Sequence, residues 1–342
     1  MSERTDAAIL LRFVYQAMRN AGLPAEQVLM GAGVGLNHLD ANRRTPSAAQ
    51  LAFWQSAEKI SQDAHIGLHL GEHLPLYRGQ VLEYLFLSSS TFGEGLKRVL
   101  AYQRLISDML QAQLVINEDE CYLANMLNDS TFRHTAECIM VAVLRFFRFV
   151  SEGQFQPLMV YFTHEEGANA EEYERVYGCP VVLGAEEIRL YFKPEVLKNR
   201  IWQAEPELLR FHEQLAHEKL QELARFDLVA EVRRAIGESL ESGTTSLETV
   251  AKRLNIAPRR LRSQLTEANT SFNQVLADYR CRLAKRLLAQ TSESIEQIVY
   301  LTGFSEPSTF YRAFKRWTNL TDRKSTRLNS SHVSESRMPS SA

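Results

Sequence analysis

Two short segments near the C-terminal end concentrate side chains that could bind nucleic acid. These side chains are Arg259, Arg260, Arg262 and Ser263 in the first segment, and Ser308, Thr309, Arg312, Lys315 and Arg316 in the second. Such donors suit both the base edges and the phosphate oxygens of a DNA major groove. Because apolar residues recur among them at helical spacing, each group is predicted to form the exposed face of a helix.

The two segments belong to one pattern that is written twice between residues 246 and 318. The first copy begins at Ser246 and the second at Ser294, which is an offset of 48 residues. The offset becomes 49 residues after the turn, where the second copy carries one additional residue. Each copy opens with a serine that is followed two residues later by a glutamate, a combination that favours the start of a helix.

A tight turn and a second helix are predicted in each copy. The turn contains a residue that tolerates a positive φ angle, Asn255 in the first copy and Gly303 in the second. The apolar anchors of the following helices lie four positions apart and are Leu261, Leu265, Phe310 and Phe314. This succession of elements predicts two helix-turn-helix units. An ordinary helical bundle with solvated arginines is the alternative interpretation.

The doubled pattern resembles the DNA-binding domain of the AraC-type transcription regulators. The matching residues are 251–257, Arg260-Leu261, Gly303-Phe304-Ser305, Ser308, Phe310, Arg312 and Phe314-Lys315. The resemblance covers the C-terminal part of the chain, and its doubled motif makes it specific. It implies an all-α DNA-binding domain over residues 226–321, in which two helix-turn-helix units are joined by one long helix. The joining helix is predicted to run from Asn273 to Leu288.

The resemblance also implies a role for each polar residue on the two exposed faces. The base-reading positions would be Arg259, Arg262, Ser263, Ser308, Thr309 and Arg312. The phosphate contacts would be Lys252, Arg253, Arg260, Lys315 and Arg316, and they would make binding depend on salt concentration. Four cations of the joining helix are open to two interpretations, phosphate contact or a solvated face. They are Arg280, Arg282, Lys285 and Arg286.

Composition and charge support a DNA-contacting part attached to a different body. The 342 residues carry a net charge of −2. Residues 226–321 hold 14 Lys and Arg against 10 Asp and Glu, whereas residues 1–225 hold 21 against 29. A mildly basic module behind an acidic body fits a nucleic-acid-binding protein with a regulatory domain.

The first 203 residues are predicted to form an α+β effector-binding and dimerisation domain, helical at first and mixed after residue 112. Several segments resemble the arabinose-binding-like N-terminal domain of one AraC subgroup. They are Phe53-Trp54, 67–71, 102–104, His164 and 172–180. The resemblance implies a small-molecule effector, and the effector-binding residues are unknown. Tyr102, Arg104 and His69 are only guesses for a pocket, since apolar core is the commoner setting for such positions.

Three further segments complete the predicted organisation. Residues 204–225 form a helical linker that could also help to dimerise the chain, and Asp227 to Leu240 form the first helix of the DNA-binding domain. Residues 322–342 contain few apolar side chains and seven serines from residue 325 onwards. This tail is predicted to be disordered and non-native, resembling a translated cloning adaptor in place of the family's closing helix.

An enzyme is the rival class. Some DNA-repair alkyltransferases use the same DNA-binding module together with a reactive cysteine. Cys179 precedes a proline here but has no neighbouring His-Arg pair to activate its thiol. His134 and Cys138 would share a helix face, but two ligands do not make a zinc site. We therefore expect no catalytic residue, no metal and no cofactor. The N-terminus shows no signal-peptide pattern, and the most apolar stretch is too short to cross a membrane.

The sequence as a whole predicts a cytoplasmic, sequence-specific transcription regulator that is controlled by a small-molecule effector. Its expected partners are double-stranded DNA, the effector, RNA polymerase and a second copy of the chain, with no membrane. A DNA-binding regulator whose N-terminal domain only dimerises or binds a protein partner is the main alternative. A DNA-repair enzyme is the other.

Overall fold

The computed structural model describes residues 4–39, 44–47, 49–117, 120–127, 132–240, 245–291 and 293–318. The predicted tail from residue 322 lies outside these ranges. The chain divides into two compact units, and the division falls between Gln221 and Glu222. The first unit mixes helices and strands and the second is helical, which confirms the predicted fold class.

The first unit begins with a helical layer built on a short two-stranded sheet. Its elements are β1 (Thr5–Ala7), α1 (Ala8–Asn20), α2 (Ala25–Gly31), β2 (Arg44–Pro46), α3 (Ala49–Ser61) and α4 (Ile66–Glu72). Strands β1 and β2 are antiparallel, with Asp6 opposite Thr45. The core of this layer is apolar and includes Met18, Leu29 and Trp54, all at most 3% exposed.

A five-stranded sheet packed against helices forms the rest of the first unit. Its elements are α5 (Val81–Leu87), α6 (Phe92–Ala101), β3 (Gln113–Ile116), β4 (Cys121–Ala124), α7 (Arg133–Val150), β5 (Pro157–Tyr161), α8 (Ala170–Tyr177), β6 (Val181–Val182) and β7 (Arg189–Phe192). The strand order is β3-β4-β7-β5-β6, and only the β5–β6 pair is parallel. The predicted hairpin is the β3–β4 pair. Helix α7 crosses the unit and supplies side chains to the cores of both layers.

A buried carboxylate on α7 links helix α8 to helix α7 through hydrogen bonds. Glu137 is fully buried and accepts a hydrogen bond from the hydroxyl of Tyr173 at 2.6 Å. The hydroxyl of Tyr177 donates to the backbone carbonyl of Glu137 at 3.1 Å, and the Arg133 guanidinium lies 3.6 Å from the carboxylate. The ring of His164 is 3.7 Å away, and burial lowers its pKa. A buried charge is tolerated only when it has partners. Because α8 supplies hydrogen-bond donors to Glu137, this network stabilises the packing of α8 on α7.

One helix, α9 (Pro206–Leu240), spans both the predicted helical linker and the predicted first DNA-binding helix, which the sequence analysis treated as separate elements. The sequence between residues 221 and 229 contains neither Gly nor Pro, so nothing in it interrupts the helical hydrogen bonds. Its first part packs on the first unit, where Ala216 joins Leu82 and Leu85. Its last part supplies Val232 and Ile236 to the core of the second unit.

The second unit continues with five helices. They are α10 (Leu247–Arg253), α11 (Pro258–Glu267), α12 (Phe272–Gln290), α13 (Ile295–Leu301) and α14 (Pro307–Thr318). Helix α12 is the predicted joining helix, a residue or two longer at each end. It buries Val275 in a core with α10 and α11, and Ala284 in a separate core with α13 and α14. Within the described ranges, no helix is both long and apolar enough to cross a membrane.

Candidate DNA-binding surface and ligand cavity

The first helix-turn-helix unit consists of α10 and α11. The hydroxyl of Ser246 caps α10 by accepting the backbone N–H of Thr249 at 3.1 Å. Asn255 takes a φ of +54° in the turn, and Pro258 is the first residue of α11. Leu261 and Leu265 are almost completely buried, as predicted, so the opposite face of α11 is exposed.

The second unit repeats this geometry with α13 and α14. Ser294 accepts the N–H of Gln297 at 3.2 Å, and the Gln297 amide oxygen accepts the N–H of Ser294 at 2.9 Å. This reciprocal pair is a capping box, and it uses Gln297, not the glutamate that the sequence pattern emphasised. Gly303 has a φ of +74°. Phe310 is 2% exposed, whereas Phe314 is only half-buried and Ala313 is buried beside it.

All eleven residues predicted to contact DNA are exposed. They are Lys252, Arg253, Arg259, Arg260, Arg262, Ser263, Ser308, Thr309, Arg312, Lys315 and Arg316. All but Lys252 and Arg253 lie on the two second helices, α11 and α14, and the fixed anchors hold the exposed faces of these helices away from the cores. Each unit thus presents a polar helix face of the kind that enters a major groove.

Several of these side chains have partners within the chain. The Arg312 guanidinium donates to the Ser308 carbonyl at 3.3 Å, and the Ser263 hydroxyl donates to the Glu267 carboxylate at 3.2 Å. Such contacts within one exposed helix are easily exchanged for contacts with DNA. Arg253 differs, because its guanidinium forms a salt bridge of 2.8 Å with Glu238 of α9. Glu238 would compete with a phosphate for Arg253.

Arg280 is one of the four cations of the joining helix for which the sequence allowed either phosphate contact or a solvated face. In the structure it contacts other residues of the chain. Its guanidinium donates to the Gly303 carbonyl at 2.9 Å and lies 4.7 Å from the centre of the Phe304 ring. A hydrogen bond and a cation–π contact therefore hold the second turn against α12. Burial lowers the pKa of Arg280. Arg282, Lys285 and Arg286 are exposed, so both interpretations stay open for them.

The first unit contains a cavity of about 280 Å³ among α1, α3, α7 and the β1–β2 pair. Its wall is mainly apolar and aromatic, with Phe13, Phe53, Trp54 and Tyr77. The polar side chains in the wall include Asp6, Gln50, Thr135 and Arg145. A cavity of this size and lining is typical of sites for small organic ligands.

The three residues guessed from the sequence as pocket residues do not line this cavity. Tyr102 packs with Leu82 and the α9 segment around Ala216. The Arg104 guanidinium pairs with Asp108 at 3.0 Å, and the His69 ring bridges Asp63 and Glu172 at 2.6 and 3.0 Å. They have structural roles. The residues that do form the wall come from several segments between 6 and 145. Of these, Phe53 and Trp54 were noted in the sequence as part of the family resemblance, but not as pocket residues.

Three of the four thiols are buried and poorly placed for catalysis. Burial raises the pKa of Cys179 and of Cys121 to about 11, and that of Cys138 to about 12. Almost no thiolate therefore exists at these three positions at neutral pH, and the thiolate is the nucleophile. In the part of the chain that the structure describes, no group of three or more His, Cys, Asp or Glu side chains could hold a metal ion.

The fold and the two exposed helix faces define a DNA-binding transcription regulator. The profile of the arabinose-binding domain of the AraC transcription regulator N-terminus matches residues 22–201, which is more than half of the chain. A helix-turn-helix domain profile matches residues 250–324. The chain therefore belongs to the AraC-type transcription regulators with an arabinose-binding-like N-terminal domain.

Known relatives are regulators as well. The ornithine utilization regulator of Pseudomonas aeruginosa is 28% identical over 307 residues, which is 89% of this chain and 88% of that protein. The HTH-type transcriptional regulator VqsM of the same organism is 24% identical over 264 residues, covering 74% and 80%. The crystal structure of the transcriptional regulator CdpR, also from P. aeruginosa, is 20% identical with a TM-score of 0.45, and the match covers 93% of this chain and 98% of that one.

Proposed function

We propose that this regulator binds specific DNA through α11 and α14 and that a small molecule in the cavity of the first unit controls this binding. The cavity among α1, α3 and α7 carries the second half of the proposal, because an apolar space of about 280 Å³ with a few polar groups fits a ligand site. The proposal includes action in the bacterial cytoplasm, as a homodimer, together with RNA polymerase.

The DNA-reading half is supported by the exposure of Arg259, Arg262 and Ser263 on α11, and of Ser308, Thr309 and Arg312 on α14. The buried anchors fix which side of each helix faces outwards. Arginine is the residue best suited to read guanine with two hydrogen bonds. The neighbouring cations, including Lys315 and Arg316, would neutralise phosphates and add affinity at every sequence.

Replacing Arg312 with alanine is expected to reduce specific binding about 5- to 150-fold, because one good base contact contributes about 1–3 kcal/mol of discrimination. Binding to random DNA should stay unchanged. The operator is first selected from random duplexes with the wild-type protein, and gel shifts on the operator and on scrambled DNA then measure both affinities.

Arg316→Ala is the matched control on the same helix. It should weaken binding to operator and scrambled DNA alike and reduce the dependence on salt. An equal loss on both DNAs for Arg312→Ala would mean that Arg312 contacts phosphate, and the base-reading assignment would be wrong.

The effector half is tested by filling the cavity. Ala142 lies in the cavity wall on α7, and Ala142→Phe would occupy part of the space. A metabolite screen by thermal melting should find a compound that stabilises the wild type, by about 2.7 kcal/mol at one hundred times its dissociation constant. The same compound should change the operator gel shift of the wild type and leave Ala142→Phe unaffected.

If no metabolite changes the melting temperature or the gel shift, the alternative interpretation is favoured, namely a DNA-binding regulator whose N-terminal unit only dimerises or binds a protein partner. Alkyltransferase activity has little support, since the relatives are regulators and burial suppresses the thiolates of Cys121, Cys138 and Cys179. The domain boundaries at residues 203 and 226 stay a prediction.

A further inference from the structure

A buried carboxylate in the wall distinguishes this cavity from a purely apolar one. Asp6 of β1 is 2% exposed and lines the cavity. Its two oxygens accept hydrogen bonds from the side-chain amide of Gln50 and from the hydroxyl of Ser107. Both donors are neutral. Among the residues that the structure describes, Asp6 takes part in no salt bridge.

This arrangement leaves the carboxylate with unused capacity. A carboxylate offers about four acceptor sites, and two are occupied here. A buried negative charge is also costly unless a positive charge compensates it. Among the described residues, His38 and Arg145 also line the wall, and the His38 ring lies 3.0 Å from the Gly35 carbonyl. The Arg145 guanidinium donates to the carbonyls of Gly71 and Glu72 at 3.2 and 3.0 Å. It also donates to the Leu74 carbonyl. Arg145 is thus engaged by the end of α4.

The aromatic side chains of the wall add a second feature that favours cations. Gln50, Phe53 and Trp54 lie on one face of α3, at spacings of three and four residues. The amide of Gln50 contacts Asp6, and the hydroxyl of Thr135 holds the other end of that amide at 3.0 Å. The rings of Phe53 and Trp54 therefore lie one turn along α3 from Gln50, the residue that contacts the Asp6 carboxylate. Aromatic faces attract ammonium groups, most strongly where water is excluded.

We infer that the cavity binds an organic ammonium ion, whose charged nitrogen pairs with Asp6 and whose apolar body packs on the aromatic wall. An alkylamine carries this charge at neutral pH, as lysine does. The inference rests on the proposed effector function and specifies the chemical class of the ligand.

Three compounds of nearly equal size and different charge test the inference on the full-length wild type. They are 2-phenylethylamine, 2-phenylethanol and 3-phenylpropionate. Calorimetry should show that the amine binds at least tenfold more tightly than the alcohol, and that the carboxylate binds most weakly. Thermal melting should give the same order. Equal binding of amine and alcohol, preference for the carboxylate, or no binding of the amine at millimolar concentration would overturn the inference.

Asp6→Asn supplies the second readout, because it keeps the shape of the side chain and removes its charge. The ratio of amine affinity to alcohol affinity should fall to about one, while the alcohol affinity itself stays the same. An unchanged ratio would overturn the assignment to Asp6. A variant that does not fold leaves the wild-type series as the deciding measurement.

The outcomes also separate this inference from the proposed function. If the alcohol or the carboxylate binds best and alters the operator gel shift, effector control stands and the preference for an ammonium ion is wrong. If neither these compounds nor any metabolite changes melting or DNA binding, the proposed effector function fails together with the inference.

Discussion

Phe310→Ala is expected to unfold the second helix-turn-helix unit locally and to abolish high-affinity operator binding. Phe310 is 2% exposed and belongs to a small core with Ala284, Ile298 and Val299. Its ring lies 5.6 Å from the Phe304 ring and 5.6 Å from the Phe314 ring, measured between centres. Truncating a buried phenylalanine to alanine costs about 3–5 kcal/mol. A core of four buried residues has little other stability with which to absorb this loss.

The effect should be confined to one half of the DNA-binding surface. The first helix-turn-helix unit has its own core, which contains Leu261, Leu265 and Val250. Hydrogen exchange should therefore show loss of protection in α13 and α14, with α10 and α11 still protected. In gel shifts, the variant should bind an operator about as weakly as the wild type binds a duplex that keeps only one half of the site.

Tyr311→Ala is the matched control, because Tyr311 is the next residue of the same helix and is 48% exposed. Its loss should change the free energy of unfolding by no more than about 0.5 kcal/mol. If hydrogen exchange shows the same protection of α13 and α14 in Phe310→Ala as in Tyr311→Ala, Phe310 is not the anchor of α14.

The sequence was sufficient for the DNA-binding unit because its signals are local and occur twice. Ser246 and Ser294 cap their helices, and Asn255 and Gly303 take positive φ angles in the turns. Capping, turn conformation and helical spacing are all settled within a few residues of the chain. The same locality explains why the exposed faces of α11 and α14 were found together with their anchors.

Features that depend on distant segments could not be found in this way. The contact of Arg280 with the Gly303 carbonyl joins residues 23 positions apart, and an arginine on a helix gives no indication of such a partner. The cavity collects Asp6, Gln50 and Thr135 from three elements that are far apart in the sequence. The continuity of α9 was missed for another reason, since the change of charge near residue 225 suggested that the linker and the first DNA-binding helix are separate elements.

Gly67→Ala is expected to destabilise the first unit by about 3 kcal/mol, the upper end of the usual range for overpacking. Gly67 lies on α4 where that helix meets α7. A Cβ atom at this position would come within 2.4 Å of both the Cα atom and the carbonyl oxygen of His134. These are backbone atoms of α7, so the two helices would have to move apart. In an open helix position the same change would instead stabilise by about 0.5–1 kcal/mol.

Gly31→Ala provides the comparison, because there the atom in the way is the hydroxyl of Ser56 at 2.4 Å. That hydroxyl can rotate, at the loss of its 2.9 Å hydrogen bond to the Val28 carbonyl. The loss of about 0.5–1.5 kcal/mol is largely offset by the gain in helix propensity. Urea denaturation of both variants measures the difference. If Gly67→Ala and Gly31→Ala have the same free energy of unfolding, the close approach of α4 and α7 is contradicted. Because α7 also carries Thr135 and Ala142 of the cavity wall, a shift of this helix should weaken ligand binding in the same variant that loses stability.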